Sequence, residues 1–311
     1  MINQVKYAIS TLAFLVLATG LFAQPEPPSN LQLQELRSWL KANWHDGHHE
    51  SLGYNEARKQ MYGYIDNEDG LIECVYTGFT QQGGYVTYPN PINAEHLVPQ
   101  SFFNSDEPMK SDIYILKPCH GNANSSRSNS PFGEVNDSQA QWYGTVGNTY
   151  TSQGGMPSDH EFWSEKSDGT WEPREEHKGN IARSVFYFYT MYPGEGSEIT
   201  DLSTLETLYQ WHLDDPVDAE ELDRNDKVES QQGNRNPYVD YPDLVWDAWF
   251  QDGAIGCPTD VNNDGFTNVE DVLSMLSEFG CSNSCSFDVD ADGIVGVSDI
   301  LEILSEFGNA C

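Results

Sequence analysis

The chain has 311 residues, with 49 Asp and Glu against 15 Lys and Arg, for a formal net charge of −34. So acidic a surface repels polyanions, and composition alone argues against a nucleic-acid partner. Its length suits one large and one small domain, and six cysteines in an exported chain point to disulfides rather than free thiols.

Residues 1–23 have a short start with one lysine, the apolar run "YAISTLAFLVLATGLF" and a small residue at Ala23. That is the pattern of a cleaved secretory signal, so the mature chain is expected to be secreted, extracellular or periplasmic, with no membrane span. Residues 24–48 form a linker, "QPEPPSNLQ", and an N-terminal helix, "LQELRSWLKANW", which "YNEARKQMYGYI" would continue. "LIECVYTGF" follows the turn residues "DNEDG" and reads as a strand.

In "INAEHLVPQSFF" Glu95 and His96 are neighbours, so an extended chain sends them to opposite faces. An imidazole is suited to deprotonating water near neutrality, and a carboxylate to holding a hard divalent cation. One carboxylate makes a poor metal site. "GNANSSRSN" offers further oxygen donors in Asn122, Asn124 and Asn129, and Arg127 could pair a phosphate. A short helix is expected around Asn124–Asn129. The stretch 136–175 reads as irregular surface, "GNIARSVFYFYTMY" as a buried core helix, and residues 202–237 as two helices broken at Pro216.

A composition shift near Gly253–Cys257 opens a segment, 257–311, with no Lys or Arg and eleven acids. It holds a tandem repeat, each unit a Cys, an acidic loop, an amphipathic helix ending in "SEFG" and a second Cys. The first loop offers Asp260, Asn262, Asp264, Asn268 and Asp271; the second offers Asp288, Asp290, Asp292 and Asp299, with Gly296 where Asn268 stands. This spacing wraps hard oxygens around one calcium ion per loop. Two Ca2+ ions are expected, with disulfides Cys257–Cys281 and Cys285–Cys311 clasping the repeats and Cys74 left to Cys119. The pattern resembles dockerin-type repeats, which implies a cohesin-like or cell-surface partner; a calcium-stabilised spacer is the plainer reading.

"NAEHLVPQSFF", "MKSDIYILKP", "NANSSRSNSPFGEV" and, further on, "WEPREEHKGNIARSVFYFYTMY" together resemble the bacterial endonuclease I family of secreted non-specific nucleases. The resemblance implies an α+β fold with a ββα-metal (His-Me finger) site in a domain over 49–253. It further implies one Mg2+ held by Glu95 and Asn124, His96 as general base, and DNA, with RNA as a further substrate, cut to leave 5′-phosphates. Arg127 matches a basic position open to a phosphate contact or a structural ion pair, and Arg183 matches an arginine read as structural. The few bases, Lys110, Lys117, Arg127, Lys178 and Arg183, would have to gather in one groove. Tyr114, Ile115 and Tyr241 stand where the family commonly has histidines. A catalytically impaired binding module and a carbohydrate-active enzyme are the alternatives.

Overall fold

The computed structural model describes residues 24–250, 259–262, 266–282, 285, 287–290 and 293–308. The expected signal segment, Cys257, Asp264, Asp292 and Cys311 lie outside the described residues. The linker leads into α1 (Leu33–Leu40), which widens into a π-helical turn over Lys41–His45. A second helix, α2 (Tyr54–Gln60), ends the same way over Met61–Ile65. The sequence suggested one continuous helix. The chain breaks instead at Gly47 and Gly53, whose φ values of 79° and 72° lie in the left-handed region that interrupts a helix. Leu36, Leu40, Trp44, Ala57, Met61 and Tyr62 are all buried, so the apolar spacing did mark the inward face.

The strand expected from residue 71 is short. β1 (Leu71–Glu73) pairs antiparallel with β2 (Thr80–Gln82), because the chain turns between them where Thr77 N and Gly78 N donate to Cys74 O. Next come β3 (Ile92–His96) and β4 (Leu116–His120), an antiparallel pair, and α3 (Gly121–Arg127) follows β4 without a break. Residues 136–175 depart most from expectation. They form a four-stranded antiparallel sheet of β5 (Gln141–Val146), β6 (Thr149–Gln153), β7 (Ser164–Ser167) and β8 (Thr170–Glu172), ordered β6-β5-β7-β8. Its anchor is a small core of Ala140, Trp142 and Trp163. Gly144 is needed there, since a Cβ on it would lie 2.2 Å from the Trp163 ring.

Five helices complete the main body: α4 (Lys178–Met191), α5 (Leu205–Asp214), α6 (Ala219–Gln232), α7 (Pro237–Asp240) and α8 (Leu244–Trp249). As the sequence indicates, α4 is the core helix. Phe186, Tyr187 and Phe188 are fully buried, each contributing roughly 1.5–3 kcal/mol by leaving water, and α5, α1 and α7 pack around them. The break at Pro216 is present, and α6 starts with Asp218 accepting from Glu221 N at 2.8 Å. At the far end of α6, Arg235 is clamped by Asp226, Glu229 and Asp240 at 2.6–2.8 Å. One hydrophobic core runs from Leu36 to Ala248.

The tail has its own small core of Met275, Val295 and Ile303 between α9 (Val269–Leu276) and α10 (Val297–Ser305). Its disulfide corrects the expected pairing. Cys281 bonds to Cys285, four residues on, so the link closes the hinge between the repeats instead of clasping each one. Cys74 and Cys119 are also not joined as expected. They are free buried thiols with sulfurs 3.7 Å apart, and Cys74 Sγ accepts from His120 N. Among the described residues no helix is long and apolar enough to cross a membrane.

Candidate active site

The β3–β4 register sets Ala94 opposite Pro118, Glu95 opposite Lys117 and His96 opposite Leu116. α3 begins one residue after β4, and His120 Nδ1 caps it by accepting from Asn122 N at 3.2 Å. This lays α3 across the hairpin. Asn124 on α3 then donates through Nδ2 to Asn93 Oδ1 (2.9 Å) and to Ala94 O (3.0 Å). A carbonyl only accepts, so the amide nitrogen must face β3 and Oδ1 is turned away from it. Glu95, 2% exposed, spends Oε1 on Tyr76 Oη (2.8 Å) and Arg127 Nη1 (3.0 Å), leaving Oε2 without a hydrogen bond among the described residues. Burial pushes its carboxyl up to about 7, although Arg127 and Tyr76 pull it down.

His96 is held from two sides. Nε2 lies 3.0 Å from the carbonyl oxygen of Lys110, and Nδ1 lies 3.2 Å from Gln100 Nε2. The carbonyl can only accept and the amide nitrogen can only donate, so Nε2 carries the proton and Nδ1 the lone pair. Burial, helped by the Lys110, Arg58 and Arg127 cations, pushes the imidazole down to about 4, so it is neutral at physiological pH, with its lone pair available but less basic than that of a free imidazole. The hairpin and α3 thus carry a neutral imidazole whose Nδ1 lone pair meets the Gln100 amide, its chain neighbour Glu95 with Oε2 outside the hydrogen bonds, and Asn124, whose Oδ1 is a second oxygen of the hard type that magnesium takes.

Arg127 is placed as the structural alternative. It is 1% exposed, pairs with Glu95, donates to the carbonyls of His96 (3.1 Å) and Leu97 (2.8 Å) and lies over the Phe132 ring, so its guanidinium is not offered to a phosphate. Arg183 lies away from this site. It is fully buried, pairs with Glu221 at 2.6 Å and donates to Asp215 O. The expected basic groove is corrected too. Lys178 is tied to Glu172 and Glu175, and Lys117 is buried, which pushes its ammonium down to about 8. Lys110 alone of the five stands at the site unpaired with a carboxylate among the described residues. Tyr114 donates to Asn225 and the Asn234 carbonyl within the helical body, and Tyr241 edges onto Trp44, so neither substitution reaches this site.

The sequence had not marked Tyr54, Arg58, Tyr76 or Gln100. Their signal is spatial, since Tyr54 and Arg58 come from α2 and Tyr76 from the turn after β1.

Residues 34–243 match the family model described as Endonuclease I. The chain belongs to the endonuclease I family. It is similar to two curated relatives named "Extracellular ribonuclease". It is 30% identical to that of Bacillus amyloliquefaciens over 173 residues, 50% of this chain and 53% of the relative. It is 28% identical to that of Bacillus subtilis (strain 168) over 224 residues, 65% and 70% respectively. Both matches leave part of this chain unaccounted for, and the first spans about half of its relative. The ββα unit that carries Glu95, His96, Asn124 and Arg127 lies inside the endonuclease I match.

In the tail, Asp288, Asp290 and Asp299 bring carboxylate oxygens within 4.8 Å of one another. Asp299 accepts from Val289 N, Asp290 N and Gly296 N, which holds its carboxyl below the usual range, and Asp271 accepts likewise from Asn262 N and Asn268 N. These bonds fold each loop back on the start of its helix.

Proposed function

We propose that this endonuclease I family chain is an exported, metal-dependent endonuclease that hydrolyses phosphodiester bonds with little sequence preference. The observation that carries the reading is the His96 tautomer, fixed by the Lys110 carbonyl and Gln100, on the same hairpin as Glu95 and next to the helix that carries Asn124. Two neutral or anionic oxygens suit a magnesium ion that keeps most of its waters. When bound, such an ion would neutralise charge on the phosphate and on the leaving oxygen. Once Gln100 Nε2 gives way to water, His96 Nδ1 takes the proton of the attacking water, the water oxygen bonds to phosphorus, the bond to the 3′-oxygen breaks, and the departing oxygen takes a proton from solvent. The products carry a 5′-phosphate and a 3′-hydroxyl. Tyr76 and Arg127 hold Glu95 in place, and the Lys110 carbonyl holds the imidazole.

The relatives' names support export and make RNA a substrate to set beside DNA. In the tail, Asp260, Asn262, Asn268 and Asp271, and separately Asp288, Asp290 and Asp299, would each hold one calcium ion; the three clustered carboxylates support the second site.

The test is cleavage of plasmid DNA and of RNA with magnesium, with chelator, and with His96→Ala. Removing a general base should lower kcat about 10²–10⁴-fold. An intact plasmid and intact RNA with the native chain across divalent ions, or a His96→Ala chain as fast as the native one, would overturn the reading.

A further inference from the structure

In a chain of net charge −34, most basic side chains are neutralised, and Arg127, Arg174, Lys178, Arg183, Arg224, Lys227 and Arg235 all pair with carboxylates. Two cations near His96 are not. Arg58 is 6% exposed and its guanidinium lies over the Tyr54 ring at 4.1 Å and over the Tyr88 ring at 4.4 Å. Its hydrogen bond goes to the neutral Asn55 Oδ1, and its buried Nε has no partner. Lys110 Nζ lies 5.2 Å from the centre of the same Tyr54 ring, and its main hold on the site is the carbonyl that fixes His96. Neither cation meets a carboxylate among the described residues. The Tyr54 ring is 5.4 Å from the His96 imidazole, so both cations flank the base.

Leaving a buried guanidinium without a counter-ion is costly, and a fold this rich in acids could have supplied one. Its electrostatic complement is an anion that arrives from outside. Tyr88 adds a second feature. It is 74% exposed, yet one face is seated on Arg58, so the ring is fixed while its other face is open to solvent. Exposed aromatic rings that lie beside cations are how proteins hold single-stranded nucleic acid, because every base has a π-face and every nucleotide a phosphate.

We propose that Arg58, Lys110 and Tyr88 form a subsite for the nucleotide next to the one being cut, with a backbone phosphate on Arg58 and Lys110 and an unpaired base stacked on Tyr88. The subsite selects single-stranded over double-stranded nucleic acid, since a paired base inside a duplex cannot present its face to the ring. The inference rests on the nuclease reading of the His96 site for its location. Its binding test does not need catalysis.

The experiment uses the full chain. Binding of a fluorescein-labelled oligothymidylate and of a duplex of equal length is measured by anisotropy for the native protein, Tyr88→Ala, Tyr88→Phe and Lys110→Ala, and KM and kcat are measured on the same substrates. Tyr88→Ala is expected to weaken single-strand binding and raise KM roughly tenfold or more, with kcat and duplex binding unchanged. Tyr88→Phe should bind as the native protein does. Lys110→Ala should reduce the slope of log affinity against log salt by about 0.7 on the single strand, the loss of one phosphate contact. Native affinity for the oligonucleotide in Tyr88→Ala, or an equal loss on single strand and duplex, overturns the proposal. If the native chain cuts nothing, the nuclease reading falls while the anisotropy series still decides this one.

Discussion

Glu95 and Asn124 are matched in the proposed chemistry but not in their surroundings. Glu95 is buried against Arg127, whereas Asn124 is half-buried and bonds only to β3. Removing either free oxygen should abolish most metal-dependent cleavage. Glu95→Gln also strips a buried guanidinium of its partner, which should cost about 3–5 kcal/mol of stability, whereas Asn124→Ala should cost about 1 kcal/mol. Activity and urea denaturation measured on both variants check this, and equal loss of stability would show that the ion pair is not what holds Glu95. The chemical types at the site were legible in the sequence, because Glu, His and Asn are few-purpose side chains at fixed offsets. Their partners were not. Tyr76 and Gln100 matter only through contacts between distant residues, and the buried state of Arg127 depends on Phe132 and two carbonyls that no local pattern encodes.

Among the elements, the β5–β8 sheet was the one the sequence concealed. Its strands are short, Gly144 falls inside β5, and polar residues such as Gln141, Thr145, Thr149 and Ser152 are mixed with the aromatics, so the alternation of buried residues along β5 does not stand out as an alternation of apolar ones. α4 was plain because it carries an unbroken apolar and aromatic run, Val185–Tyr189, after Ile181 and Ala182. The sheet also carries an unusual pair. Glu165 and Glu172 face each other across β7 and β8, and Lys178 neutralises only Glu172. Burial and then the Glu172 charge push Glu165 up to about 8, and burial pushes Glu172 up as well. A carboxyl whose folded pKa exceeds its unfolded value binds protons more tightly when folded. Its contribution is therefore full below about pH 4, the unfolded value, and is lost as the pH rises through about 8. Glu165→Gln should remove this loss. Melting curves should show the variant unchanged near pH 4 and a few degrees more stable than the native chain near pH 9. A variant that is less stable at pH 9 would mean that the charged form is the favoured one.

At the scale of the whole molecule, the repeats and the acid-rich tail were visible from the order of residues, while the disulfide was not. A two-helix unit whose buried core among the described residues is Met275, Val295 and Ile303, and which has no bases, is small enough for cross-links and any bound ions to supply much of its stability. Calcium that binds the folded tail and not the unfolded one stabilises it in proportion to the logarithm of its concentration. Calorimetry should show a tail transition that rises with calcium, changes little with the same concentration of magnesium, and loses part of its calcium response in Asp299→Ala. No rise with calcium would leave the acidic loops as solvated turns. Arg235 has a practical corollary. It is the last basic residue in the sequence, so trypsin has no site in residues 236–311. Because three carboxylates grip its side chain and Asn236 behind it is buried, that last bond is shielded from the protease in the native fold. Digestion should leave the bond after Arg235 intact until heat or denaturant opens the grip, and then free residues 236–311, α7 and α8 with the tail, in one piece, turning a routine protease into a gauge of whether this corner of the molecule is closed.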